Sequence, residues 1–115
     1  MKENIKEITS FDELNNEISN KLISLVYLSH QNCSVCKVLK PKISELLTEE
    51  YPNVKMLYAD IEKIPEIKGQ FSVFAVPTII FFIEGRENFR RSRNIGIGEL
   101  RDLIERPYQF LFSEE

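Results

Sequence analysis

Leu22-Ile23-Ser24-Leu25-Val26-Tyr27-Leu28, followed a short step later by Cys33-Ser34-Val35-Cys36, is the stretch whose reading decides the fold. The first segment is almost wholly apolar and rich in strand formers, as a central strand covered on both faces requires. From Ser34 to about Glu50, Cys36, Leu39, Ile43, Leu46 and Leu47 recur on one stripe, which predicts a helix; Pro41 falls inside it and is predicted to kink it. The two cysteines therefore sit where a buried strand hands over to a helix. A helix amino terminus carries unpaired N–H groups and a partial positive charge, and both stabilise a thiolate. A cysteine there can have its pKa drawn from about 8.5 toward about 7 or lower. Three residues of separation place the second sulfur one turn further on. Cys36 shares the inward stripe with Leu39 and Ile43, whereas Cys33 precedes the first full turn, so Cys33 is predicted to be the attacking nucleophile and Cys36 the resolving thiol.

Working outward, Ser10 and Glu13 form a capping box ahead of Phe11, Leu14 and Ile18 at helical spacing. Val54 to Ala59 reads as a strand, and Asp60 can cap a short helical stretch bounded by Pro65 and Gly69. Thr78 to Ile83 is a further buried strand with Pro77 at its start, Glu84-Gly85-Arg86 a turn, and Asn88 to Arg93 an antiparallel edge strand. A last helix is predicted from about Ile97 to Glu105 with Leu100, Leu103 and Ile104 inward; Pro107 is expected to end it and leave 107–115 as a tail. Alternating strands and helices, then a hairpin and a closing helix, imply one α/β domain over 1–115: a sandwich with a mixed central sheet.

The composition agrees with a packed domain. Of 115 residues 43% are hydrophobic, and 15 basic against 18 acidic side chains give a net charge of −3. That balance excludes a basic nucleic-acid binder, and the apolar share excludes a disordered chain. Met1 to Ser10 has no apolar core of the secretory kind, and the apolar runs are too short to span a bilayer, so the expected location is the cytoplasm, with no membrane partner. Thiols are kept reduced there, which makes a structural staple an improbable use for the only two cysteines. Two other readings stand beside thiol–disulfide chemistry. His30, Cys33 and Cys36 offer three metal ligands, one short of a closed zinc site, so a metal centre would have to be shared in a dimer. A binding or adaptor module would keep the fold and use its groove without turnover.

Taken in order, the CxxC pair, Pro41 five residues after Cys36, Val76-Pro77-Thr78 ahead of the penultimate strand and Gly85 in the hairpin resemble the thioredoxin family along nearly the whole chain. The resemblance implies a thioredoxin-like three-layer sandwich and an oxidoreductase that reduces protein or small-molecule disulfides through a Cys33/Cys36 dithiol–disulfide cycle. It needs no bound cofactor or metal, and takes electrons from a thioredoxin-reductase-like donor. It also implies that Pro77 is cis and packs beside Cys33. The Val76 backbone would there pair with an extended segment of a disulfide-containing protein substrate, and Asn32, Ser34 and Val35 would line the same contact.

The chain departs from the family pattern in several places. Asn32 stands where Trp usually precedes the first cysteine, and Ser34-Val35 replaces the common Gly-Pro, a dipeptide that tunes thiolate stability and potential. The usual buried Asp and its Lys partner fall at Tyr27 and Met56. Their joint loss is coherent, because one buried charge without the other is costly, but it leaves Cys36 without the usual proton acceptor. Arg86, Arg90, Arg91 and Arg93 cluster on the hairpin, as expected of a charge-protected edge strand; Arg93 is also expected to favour acidic substrate segments. Tyr108-Gln109-Phe110-Leu111-Phe112 is expected either to fold back on the domain or to form a self-association contact.

Overall fold

The structure, a computed structural model, describes residues 4–112. Five strands form one sheet: β1 (Ile5–Glu7), β2 (Ile23–Ser29), β3 (Lys55–Asp60), β4 (Thr78–Ile83) and β5 (Arg86–Ser92), in the spatial order β1-β3-β2-β4-β5. β1, β3 and β2 run parallel, while β4 and β5 are antiparallel to their neighbours, so the sheet is mixed as expected. The helices are α1 (Phe11–Asn20), α2 (Ser34–Glu50), α3 (Glu66–Gln70) and α4 (Ile97–Phe112). Strand alternation sends Leu25, Tyr27, Met56, Ile79 and Phe81 toward α2 and α4, and Val26, Leu28, Leu57, Ile80 and Phe82 toward α1 and α3. Each face therefore has its own apolar cluster, and every residue of β2 is buried between them.

Local chemistry explains the ends of these elements. Ser10 Oγ accepts the Glu13 N–H at 3.1 Å while Glu13 Oε1 accepts the Thr9 N–H at 2.8 Å, which closes the start of α1 reciprocally. Asp60 Oδ1 accepts from the Glu62 and Lys63 N–H groups, so it caps the turn after β3 rather than α3, whose first residue follows Pro65. Glu84 and Gly85 both have positive φ, 53° and 81°, as a two-residue hairpin loop between β4 and β5 demands, and glycine meets that demand without a Cβ penalty. β1 is missing from the sequence reading because three residues with charges interleaved give no usable periodicity; parallel pairing of Ile5 with Met56 and a Lys6–Glu17 contact of 2.8 Å onto α1 hold it.

The carboxy-terminal expectation needs correction. α4 does not stop before Pro107 but continues through it to Phe112, so 107–112 is helix and not tail; 113–115 lie outside the described residues. An interior proline removes one helical hydrogen bond and costs about 3 kcal/mol. Packing offsets that cost. Tyr108 is buried, meets Tyr51 edge-on at 4.9 Å and Phe112 at 4.7 Å, and its hydroxyl accepts the Asn53 N–H at 3.3 Å. The aromatic segment thus folds back on the domain, as one of the two expectations had it. Tyr108→Ala is expected to lower the unfolding free energy by about 3 kcal/mol, the range for large buried aromatics. Phe110→Ala, at an exposed position, should stay within about 0.5 kcal/mol of the parent. Urea unfolding of both variants checks the pair.

Candidate active site

β2 ends at Ser29, whose carbonyl accepts the Ile61 N–H at 2.9 Å, and the chain turns through His30-Gln31-Asn32 into α2. The turn is closed by the Cys33 N–H donating to the His30 carbonyl and by the Asn32 N–H donating to His30 Nδ1, both at 3.2 Å. Cys33 is the N-cap of α2, with extended backbone, and its Sγ accepts the Cys36 N–H at 3.1 Å. A sulfur replaces the oxygen that usually caps a helix, so the atom that satisfies an orphan donor is also one half of the disulfide. Cys33 and Cys36 are joined as a disulfide, with Cα atoms 5.3 Å apart. Cys33 is half-buried and Cys36 is 1% exposed. Ser34 and Val35 lie open in the first turn, and Asn32 is exposed in front of it.

In the loop that enters β4, Val76 is half-buried and Pro77 buried, and the peptide bond between them is cis. Cys33 and Val76 both pack on the cluster beneath α2. Thr78 Oγ1 donates to the Ala75 carbonyl at 2.6 Å and lies 3.0 Å from Ser92 Oγ, while the Arg93 N–H donates to the Pro77 carbonyl at 2.7 Å. The proline loop is therefore clamped to the end of β5.

The underside of the motif is built from phenols. Tyr27, fully buried on β2, donates from its hydroxyl to the Cys36 carbonyl at 2.7 Å. Its ring stacks on Tyr58, its register partner on β3, at 5.9 Å, and the Lys40 ammonium sits 3.7 Å from the Tyr58 ring centroid. Met56, also fully buried, lies opposite Leu25 in the same strand pairing. Burial pushes the Tyr27 hydroxyl above the ordinary phenol range, with Tyr58 adding to the rise, so it stays protonated and is a donor at neutral pH.

Tyr58 and Lys40 escaped the sequence reading. Parallel alignment of β2 on β3, which sets Tyr27 against Tyr58, was the available signal. A cleft of about 270 Å³ lined by His30, Ile61, Glu62, Lys68, Val73, Phe74, Ala75 and Val76 was missed as well. Phe74, exposed and three residues before Pro77, was its marker.

A CxxC pair at a helix start and a cis-proline loop ahead of β4, on this sheet order, match known proteins. Residues 5–106 match the Thioredoxin family. A thioredoxin-like protein of Bacillus subtilis, YdfQ, is 30% identical over 113 residues, covering 96% of this chain and all of its own length. The chain belongs to the thioredoxin family. A thioredoxin of Chlamydia muridarum is 33% identical over 99 residues, covering 86% of this chain and 92% of its own. Oxidized thioredoxin O2 of Arabidopsis thaliana superposes with a TM-score of 0.82 at 27% identity, over 94% of this chain and 97% of that one. A thioredoxin-family member with its CxxC pair at disulfide distance is a thiol–disulfide oxidoreductase, a disulfide reductase of the thioredoxin type. The shared-metal reading is not favoured, since the family match and the bonded Cys33–Cys36 pair both point to thiol–disulfide chemistry.

Tyr27→Phe removes one buried hydrogen bond and is expected to cost about 1 kcal/mol at neutral pH. Because folding raises the Tyr27 pKa, its contribution is complete below the unfolded phenol value of about 10 and is lost as pH rises beyond it. Unfolding measured from pH 7 to 11 should therefore show the gap between parent and variant closing above about pH 10.

Proposed function

We propose that Cys33 is the attacking thiolate and Cys36 the resolving thiol of a reductase acting on disulfide-containing proteins. The carrying observation is the asymmetry of the pair: Cys33 is half-exposed at the helix cap, and Cys36 is shut in beneath it. In the reduced protein the Cys33 thiolate attacks one sulfur of a substrate disulfide, forms a mixed disulfide and releases the other substrate sulfur as thiolate. Cys36 then attacks Cys33 Sγ, closes the intramolecular disulfide and releases the second substrate thiol. The substrate gains two electrons and the protein loses two, to be restored by a thioredoxin-reductase-like donor. The Cys36 N–H and the amino-terminal dipole of α2 favour the thiolate form of Cys33. Val76 would pair with an extended substrate segment, with Asn32, Ser34, Val35 and Pro77 bordering it.

A chain-wide single domain, 1–115, working in the cytoplasm suits this chemistry, since reduction needs a reducing compartment. Among the described residues no helix is long and apolar enough to cross a membrane. Cys33→Ser is expected to abolish reduction of insulin disulfides. Cys36→Ser should accumulate the mixed disulfide, seen as a mass adduct that dithiothreitol removes. Absence of turnover in the parent protein would leave a binding module instead.

The proton of Cys36 is handed to water or to Cys33, because the phenol beneath it is already protonated and Met56 offers no base. Resolution should be slower than in a thioredoxin with a buried Asp. In stopped-flow reduction of a small aromatic disulfide, a rate equal to that of an Asp-containing thioredoxin and unmoved by Tyr27→Phe would refute this.

A further inference from the structure

We propose that Arg93 is a specificity-determining residue that selects disulfide substrates with an acidic side chain beside the half-cystine. The inference rests on the reading of Val76–Pro77 as the strip against which substrate lies. Four arginines occupy β5 and its end, and three are accounted for elsewhere. Arg90 is held by both carboxylate oxygens of Glu87, at 2.8 and 2.9 Å, and by the Phe71 carbonyl at 2.9 Å. Arg91 pairs with Glu99 at 3.0 Å. Arg86 sits beside the hairpin turn, opposite Ile83, at the far end of the strand. Six residues of extended chain separate it from Ser92, about 20 Å.

Arg93 differs on each count. It is exposed, and among the described residues its guanidinium has neither an ion pair nor a hydrogen bond. Its backbone is fixed on the proline loop by the 2.7 Å bond from its N–H to the Pro77 carbonyl. The Thr78–Ser92 hydroxyl contact and the Thr78–Ala75 bond secure the same corner, so Arg93 cannot drift from Val76 and Pro77. Its φ is 69°, in the left-handed region that disfavours any residue with a Cβ. Nothing in the packing demands a long side chain there. A strained arginine with no internal partner among the described residues, its backbone fixed on the cis-proline loop, is explained by what approaches from outside.

The chemistry of the occupant follows from the charge. A guanidinium in this position attracts a carboxylate on an extended peptide whose cystine reaches Cys33, and presents a paired fork of donors to it. The protein as a whole carries −3, so the attraction is local and not a property of the overall field.

The test uses two peptides with the same internal disulfide, one with Glu and one with Gln flanking the cysteine to be attacked, and measures kcat/KM for each with the full chain. The Glu peptide should be preferred about threefold at low salt, the scale of a solvent-exposed ion pair, and the preference should vanish near ~1 M salt, where screening acts within about 3 Å. Arg93→Gln should bring the Glu/Gln ratio to about one, and Arg93→Glu should invert it. A ratio unchanged in both variants overturns the proposal, whatever happens to the absolute rates. Turnover of neither peptide by the parent overturns the proposed function and the selector with it. As a control on the backbone, Arg93→Gly should melt a few degrees above Arg93→Ala, since only Gly relieves the left-handed conformation. Equal melting temperatures would overturn the rigid presentation of Arg93.

Discussion

One sulfur atom does two jobs in this protein, and the rest of the structure is arranged so that it can. Cys33 Sγ caps α2 by accepting the Cys36 N–H, and it is also the bonding partner of Cys36 in the disulfide. The helix needs an acceptor at that point, and a thiolate needs a donor and a positive field; one geometry meets both needs. Holding the atom there requires a rigid support, which β2 supplies. All of its residues are buried between two apolar clusters, so the point at which the chain leaves the sheet for His30 has no freedom to shift. The burial of Cys36 follows from the same arrangement, since its place on α2 faces the cluster formed with Tyr27 and Met56.

Beneath the disulfide, the chain solves a polar problem without a buried charge. A carboxylate at the position of Tyr27 would need a cation at hand, and Met56 cannot be one. A phenol needs only an acceptor, which it finds in the Cys36 carbonyl. Its ring is then sandwiched into the core against Tyr58, and Tyr58 in turn carries Lys40 on its ring face, a cation kept at the edge where water can reach it. Charge is thus moved from under the motif to its rim. The phenol beneath the motif is a hydrogen-bond donor to the Cys36 carbonyl and stands protonated, where the family's usual buried carboxylate would be an acceptor.

The cis-proline loop is held by hydrogen bonds rather than by packing alone. Ala75, Pro77, Thr78, Ser92 and Arg93 are linked through two hydroxyls, two carbonyls and one amide, and these bonds tie the cis proline loop to the end of the edge strand. The charged character of β5 has a local meaning at each position. Arg90 and Arg91 are engaged with Glu87, Glu99 and the carbonyl of Phe71, which leaves the edge polar and poorly suited to adding another strand.

Periodicity and local chemistry were enough to read most of this from the chain. The unbroken apolar run into Leu28, the stripe from Cys36 to Leu47, the capping pair Ser10 and Glu13, and the Glu84-Gly85 turn each have a cause within a few residues of themselves. The strand–CxxC–helix junction and the inward turn of Cys36 were legible for that reason, whereas only the family resemblance marked Tyr27 and Met56 as standing in place of a buried ion pair. Tertiary structure decided the rest. β1 exists because β3 offers it a partner, and α4 survives Pro107 because Tyr108 meets Tyr51 across the fold and Phe112 along its own helix. Tyr58 meets Tyr27 and Lys40 meets Tyr58, and Arg93 meets Pro77, through register and strand order, and those are set by the summed burial of distant side chains. No local pattern encodes such a sum.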